Sequence, residues 1–235
     1  MNFPEIQPVV PPQQEISAPV SKTVVAAIEN LKPAPSLEST INVETGRSFE
    51  NILSIAYGIP EEHLVKVSPA IQKTETGNDP KSDNPMQVDE ETMDRELRDF
   101  KARVGEEEYD LIFTGQNPVG ERVIKAKIRY AYYYTLVEHT FSNFSQQTKK
   151  DITLIYFNGG SSIAEDTILW AVRNSPTHLK NADWQYIYNF MHDPEQSSSF
   201  QKMYGVKYNF KRRPYSKWLE NVNHYVEKEK AFEKN

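Results

Sequence analysis

From Lys202 to Trp218 the chain reads Lys-Met-Tyr-Gly-Val-Lys-Tyr-Asn-Phe-Lys-Arg-Arg-Pro-Tyr-Ser-Lys-Trp, with six basic residues and no acid. Tyr204, Tyr208, Phe210, Tyr215 and Trp218 are interleaved with the cations. Basic side chains neutralise phosphates, and aromatic faces stack on unpaired bases without a sequence code. Lys207, Tyr208, Lys211, Arg212, Arg213 and Tyr215 are therefore candidate contacts for single-stranded RNA. Stacking requires that Tyr208 or Tyr215 be exposed. A second block, Arg122, Lys125, Lys127 and Arg129, leads into Tyr130, Tyr132, Tyr133 and Tyr134. On a helix, Arg122, Lys125 and Arg129 fall on one surface stripe. One folded groove could combine the two blocks, although either alone also fits a solvated helix face over an aromatic core. Lys211-Arg212-Arg213-Pro214 reads as a possible nuclear-import cluster as well.

Other chemistry finds little support. The five histidines (63, 139, 178, 192 and 224) stand apart, and no His-Glu-x-x-His, Walker loop or Gly-x-Ser-x-Gly elbow occurs. With no cysteine in the chain, disulfide scaffolds, thiol catalysis and Cys-ligated metal centres are excluded. Glu165-Asp166 and Asp193/Glu195 sit where helix N-termini favour negative charge. Asn158-Gly159-Gly160-Ser161-Ser162 could present backbone N–H groups to a phosphate, but a plain turn into a helix is the commoner use of that pattern. The expectation is a non-enzyme with no cofactor, no metal and no small-molecule substrate.

The elements that must position these residues follow from composition. The chain has 235 residues and a formal net charge of −6. Residues 1–90 hold eleven of fifteen prolines, three of twenty-seven aromatics, six basic and thirteen acidic residues, so they carry −7. Residues 91–235 carry twenty-one basic and twenty acidic residues and the other aromatics. The expected fold class is mostly α: a disordered Pro-rich N-terminal arm followed by a single helical-core domain. Residues 1–46 are the arm, too poor in apolar surface to offset the entropy of ordering. Within it, Thr23–Leu31 could form two amphipathic turns given a partner. Residues 47–67 are a short helical segment, capped by Ser48 and stopped by Gly58, with Pro60-Glu61-Glu62 opening a second helix. Phe49, Leu53, Ile55 and Tyr57 make this segment sticky, so that it docks either on its own core or on a neighbouring copy, and docking on the neighbouring copy is the expectation. Residues 68–90 read as an acidic linker.

Residues 91–235 form the core domain, with helices over Glu91–Val104, Glu106–Phe113 and Val119–Gln147. Asp151–Phe157 is ambiguous, because its β-branched content suits a strand that has no obvious partner. Ser162-x-x-Glu165 predicts a capping box for the next helix. Asn181 is placed to cap Ala182–Met191, and a last helix starts near Pro214. No apolar run reaches the length of a membrane span, and the Pro-rich, acidic first residues predict no secretory signal.

A long polar arm with one sticky segment, followed by a Cys-free helical body bearing basic–aromatic blocks, resembles the plan of capsid and nucleocapsid proteins of RNA viruses. The likeness is greatest to those of flexible filamentous plant viruses. It lies in the order of the parts, so no functional residue is carried over. The resemblance implies a protein that binds single-stranded RNA non-specifically, polymerises through its arm, and resides in the virion and host cytoplasm. Outside a virus the same chain would be intracellular. An acidic arm departs from the basic arms common in RNA packaging and implies contact with protein. The alternative is a non-enzymatic adaptor with a regulatory tail, binding a protein through Tyr and Trp anchors. Salt separates the two, because phosphate binding weakens steeply with ionic strength and an apolar interface does not.

Overall fold

A computed structural model describes residues 47–76, 92–114, 116–175 and 182–233. The expected arm (1–46), residues 77–90 of the expected linker and the Asn181 cap lie outside the described residues. Among the described residues every regular element is a helix: α1 (Phe49–Tyr57), α2 (Glu61–Thr76), α3 (Asp94–Val104), α4 (Glu106–Phe113) and α5 (Pro118–Thr140), then α6 (Gln146–Gly159), α7 (Ser161–Asn174), α8 (Trp184–His192), α9 (Pro194–Tyr208) and α10 (Tyr215–Glu233). None of them is long and apolar enough to cross a membrane.

Several helix ends follow the sequence. Ser48 accepts the Asn51 N–H at 3.1 Å, and Gly58 closes α1 at φ 70°, a left-handed conformation that suits glycine. Asn117 caps α5 ahead of Pro118, Asp183 caps α8, and Asp193 accepts from the N–H groups of Glu195 and Gln196. Other expectations are corrected. The stretch that resembled a strand, Asp151–Phe157, lies inside α6. Residues 68–76 continue α2, anchored by buried Ala70 and Ile71, so they are not linker. The Ser162–Glu165 capping box does not form: α7 starts at Ser161 after Gly160, without a side-chain cap, and Glu165 is buried.

α6 is the hub, packed against α5, α7, α8 and α10. Ile152, Leu154, Ile155 and Tyr156 are buried on successive sides of it. α2 packs along α10, and α1 packs against α3 and α5. Leu53 and Tyr57 are therefore buried in the chain's own core. Tyr57 stacks on Phe100 at 6.3 Å, and Phe49 meets the same ring edge-on at 6.1 Å. This corrects the docking expectation, since an amphipathic segment requires a cover and here the chain supplies it. Of the four named residues only Ile55 is exposed, at 41%.

Two positions in this packing generate predictions. Where α10 crosses the end of α6, a Cβ on Gly159 would lie 2.5 Å from Val222 Cγ1 and 3.0 Å from Trp218 Nε1. The Val222 side chain is stiff at χ1, and Trp218 donates its N–H to the Gly159 carbonyl at 2.8 Å. Alanine would gain about 1 kcal/mol in helix propensity, against about 1–3 kcal/mol of overpacking. We expect Gly159→Ala to lower the thermal midpoint; an unchanged or higher midpoint would mean that α10 moves away freely.

His63 is buried, with its Nε2 2.7 Å from Tyr130 Oη. Burial, aided by Lys150 and Lys66, lowers its pKa to about 4. The folded state thus resists a proton that the unfolded chain accepts below its ordinary value of 6.5. The stability contribution is present above that value and is lost as pH falls through about 4. His63→Gln should remove about 2 kcal/mol of this acid dependence in urea titrations; an unchanged slope would show that His63 is protonated in the fold.

Candidate nucleic-acid interface

α9 ends at Asn209, a non-glycine residue held in the left-handed region at φ 51° and ψ 50°. The Asn209 carbonyl then accepts the Arg212 N–H at 2.9 Å and the Arg213 N–H at 3.2 Å, folding residues 209–213 into a tight turn. Phe210 points inward against Phe200 and Tyr215, whereas Lys211, Arg212 and Arg213 point out and are exposed. None of these three cations has an ion pair with a described residue. Lys202 on α9, Lys217 on α10 and Arg173 on the last turn of α7 are likewise exposed and outside any ion pair with the described residues.

α7 holds both ends of this turn. Asp166 Oδ2 accepts from Lys207 Nζ at 2.7 Å and from Tyr208 Oη at 2.5 Å, and Tyr208 Oη also lies 2.8 Å from the Ser162 carbonyl. The next residue, Thr167, accepts from Tyr215 Oη at 3.2 Å. Burial, followed by the hydrogen bond to Asp166, raises the Tyr208 pKa, and burial raises that of Tyr215. Both phenols stay protonated and donating at neutral pH.

Two expected contacts fail here. Tyr215 is fully buried, between Phe200 at 4.7 Å and Trp218 at 5.6 Å, so it cannot stack on a base. Lys207 is half-exposed but already neutralises Asp166. Tyr208 is half-buried, with the Lys207 ammonium 5.0 Å from its ring centre.

The α5 block differs more. Lys125 pairs with Glu121 at 2.6 Å, Lys127 pairs with Glu50, and buried Arg129 lies 3.4 Å from Glu96 while donating to Thr92 at 2.8 Å. Arg122 is half-buried and also has an interaction partner. The expected stripe is thus engaged within the protein, and Arg129 is corrected from an RNA contact to a core ion pair. α5 packs on α1, α3 and α6, whereas α9 packs on α7, α8 and α10. The structure does not combine the two blocks in one groove. The Asn158–Ser162 stretch is a helix-to-helix corner whose space beside Gly159 is filled by Trp218 and Val222.

Sequence reasoning missed Asp166 and Thr167. Asp166 reads as a helix-start acid and Thr167 carries no signal of its own, and nothing local in the chain links either to a turn some forty residues on. An open hollow of about 420 Å³ lies between α8, α9 and α10, lined among others by Met191, His192, Ser197, Gln201, Ser216 and Leu219. Comparison with protein-family models, with characterised proteins and with solved structures finds no match.

Glu165, next to Asp166, is pushed up to about 7, first by burial and then by the Asp166 charge, with Lys207 opposing. Its folded pKa exceeds the ordinary 4.5, so stability is highest below 4.5 and falls as pH rises through about 7. After allowance for solvent at its rim, Glu165→Gln should raise stability above pH 7 by about 1–2 kcal/mol and leave it unchanged at acid pH. Equal gains at both pH values in chemical denaturation would point to packing instead of ionisation.

Proposed function

We propose that this chain is a structural RNA-binding protein of the capsid or nucleocapsid kind, whose exposed cations at residues 211–213 grip single-stranded RNA without sequence preference. The observation that carries the reading is a contrast in pairing. Lys125, Lys127 and Arg129 of α5 are neutralised inside the protein, whereas Lys211, Arg212 and Arg213 stand exposed on one turn, with Lys202, Lys217 and Arg173 also exposed on α9, α10 and α7. Exposed cations in water favour a polyanion chiefly through counterion release, which grows with the number of phosphates neutralised. A flexible single strand can bring several phosphates to one small turn more easily than a stiff duplex can. Tyr208, close to them in the chain, is half-buried, so stacking is a minor contribution. Self-association completes the reading. It falls to residues 1–46, because the 47–67 segment is committed to the core.

The adaptor reading has one specific observation in its favour. Met203 and Val206 on α9 are 49% and 100% exposed beside the same cations. An apolar interface there would be insensitive to salt.

The test is fluorescence anisotropy with a labelled uridine oligomer over a salt series. The Lys211→Ala/Arg212→Ala/Arg213→Ala triple variant should lower the slope of log K against log salt by about two, at roughly 0.7 per phosphate contact. Circular dichroism should be unchanged, since exposed charges contribute little to stability. Lys125→Ala should leave the slope as it was. Salt-independent binding, or equal slopes in wild type and triple variant, would favour the adaptor. Sedimentation of the full chain with and without RNA reads self-association.

A further inference from the structure

We infer that Asp166 and Thr167 are positioning residues that staple the cationic turn at both ends, so that Lys211, Arg212 and Arg213 are held ready for an anionic strand. The inference rests on the RNA-binding reading for its ligand, but its geometry stands apart from it. Two consecutive residues of α7 receive the two phenols that bracket the turn, Tyr208 before it and Tyr215 after it. Between these anchors the chain makes a left-handed residue, two bonds onto one carbonyl and one inward aromatic.

The three cations themselves make no ion pair with described residues, so no described acid fixes their tips. Their order comes from the backbone, and the backbone is ordered from α7. A turn ordered before binding loses less conformational entropy when the ligand arrives. The staple thus acts on affinity through Lys211, Arg212 and Arg213 without touching RNA.

The charge on Asp166 gives this inference an opposite-sign test. Asp166 is buried beneath Lys207 and is an anion close to the surface that would bind phosphate. If its effect on binding were electrostatic alone, removing it would free Lys207 and tighten RNA binding. If it is a staple, removing it loosens the turn and weakens binding despite the more positive surface. Tyr208→Phe separates the effects further, because it deletes the hydrogen bonds, keeps the ring and changes no charge.

The experiment pairs oligouridine anisotropy with amide hydrogen exchange on the RNA-free protein. The reporter amides are those of Arg212 and Arg213, whose partner is the Asn209 carbonyl. For both Asp166→Ala and Tyr208→Phe we expect these amides to exchange faster and RNA affinity to fall about fivefold, and in Tyr208→Phe, which changes no charge, the salt slope should stay at its wild-type value. Tighter binding by Asp166→Ala, or unchanged exchange and affinity in Tyr208→Phe, would overturn the staple. Should Asp166→Ala fail to fold, Tyr208→Phe decides alone. A wild-type protein that ignores RNA would refute the proposed function, while the exchange rates would still judge the staple.

Discussion

The rest of the fold depends on the enclosure of α6, which from Asp151 to Tyr156 is buried at every position. On a helix surrounded by α5, α7, α8 and α10, a polar side chain left unpaired is costly, because an unpaired buried group loses its hydration without return. Its buried charges are accordingly paired with the helices around it and Thr153 within its own turn, while Tyr156 Oη alone on this helix has no hydrogen-bond partner among the described residues. Asp151 meets Lys230 of α10 at 2.8 Å and Gln147 at 2.9 Å, and Lys149 meets Glu138 of α5 at 2.7 Å. Thr153 returns its hydroxyl to the Lys149 carbonyl. Burial raises the Asp151 pKa, while Lys230 opposes it. Such pairs add little net stability over apolar replacements. Their consequence is directional: only one rotation of α6 lets Asp151 reach α10 while Lys149 reaches α5.

That burial also explains what could be read from the chain and what could not. Helix ends were legible at Ser48 and Gly58, because capping and left-handed turns are local chemistry. α6 was not, since a helix buried on all sides shows a continuous apolar run and no amphipathic period. α9 escaped for the opposite reason: its Ser197-Ser198-Ser199 run and single buried residue, Phe200, give almost no periodic signal. The 47–67 segment was legible as something that must be covered. Whether the cover is this chain or another depends on groove shape, which no local pattern encodes.

The candidate site divides along the same line. Counting cations in sequence found both blocks, but pairing decides which of them can act. The partner of Lys127 is Glu50, seventy-seven residues earlier, and the partner of Arg129 is Glu96. Among the aromatics, Tyr215 moves from a stacking surface to the core. Phe200, Tyr204, Tyr208, Phe210, Tyr215 and Trp218 touch one another in a continuous row beneath the turn. They are the floor on which the cations stand, and the phenol hydroxyls are its fastenings.

Two buried ionisable groups set opposing pH slopes across this architecture. His63 withholds a proton that the unfolded chain would take as pH falls below 6.5, and Glu165 keeps one that the unfolded chain would release as pH rises above 4.5. Between those values the folded chain lacks one proton at His63 and holds an extra one at Glu165. Proton uptake on unfolding at the first is offset by release at the second, so their joint contribution to the slope is small. Between those values the two groups mask each other, although each is displaced from its ordinary protonation. Glu165 also sits beside the pair that fastens the turn. Its ionisation near neutral pH adds a second negative charge next to Asp166 and draws Lys207 harder toward α7. The charge balance beneath the cationic turn and the stability of the fold thus respond to the same proton.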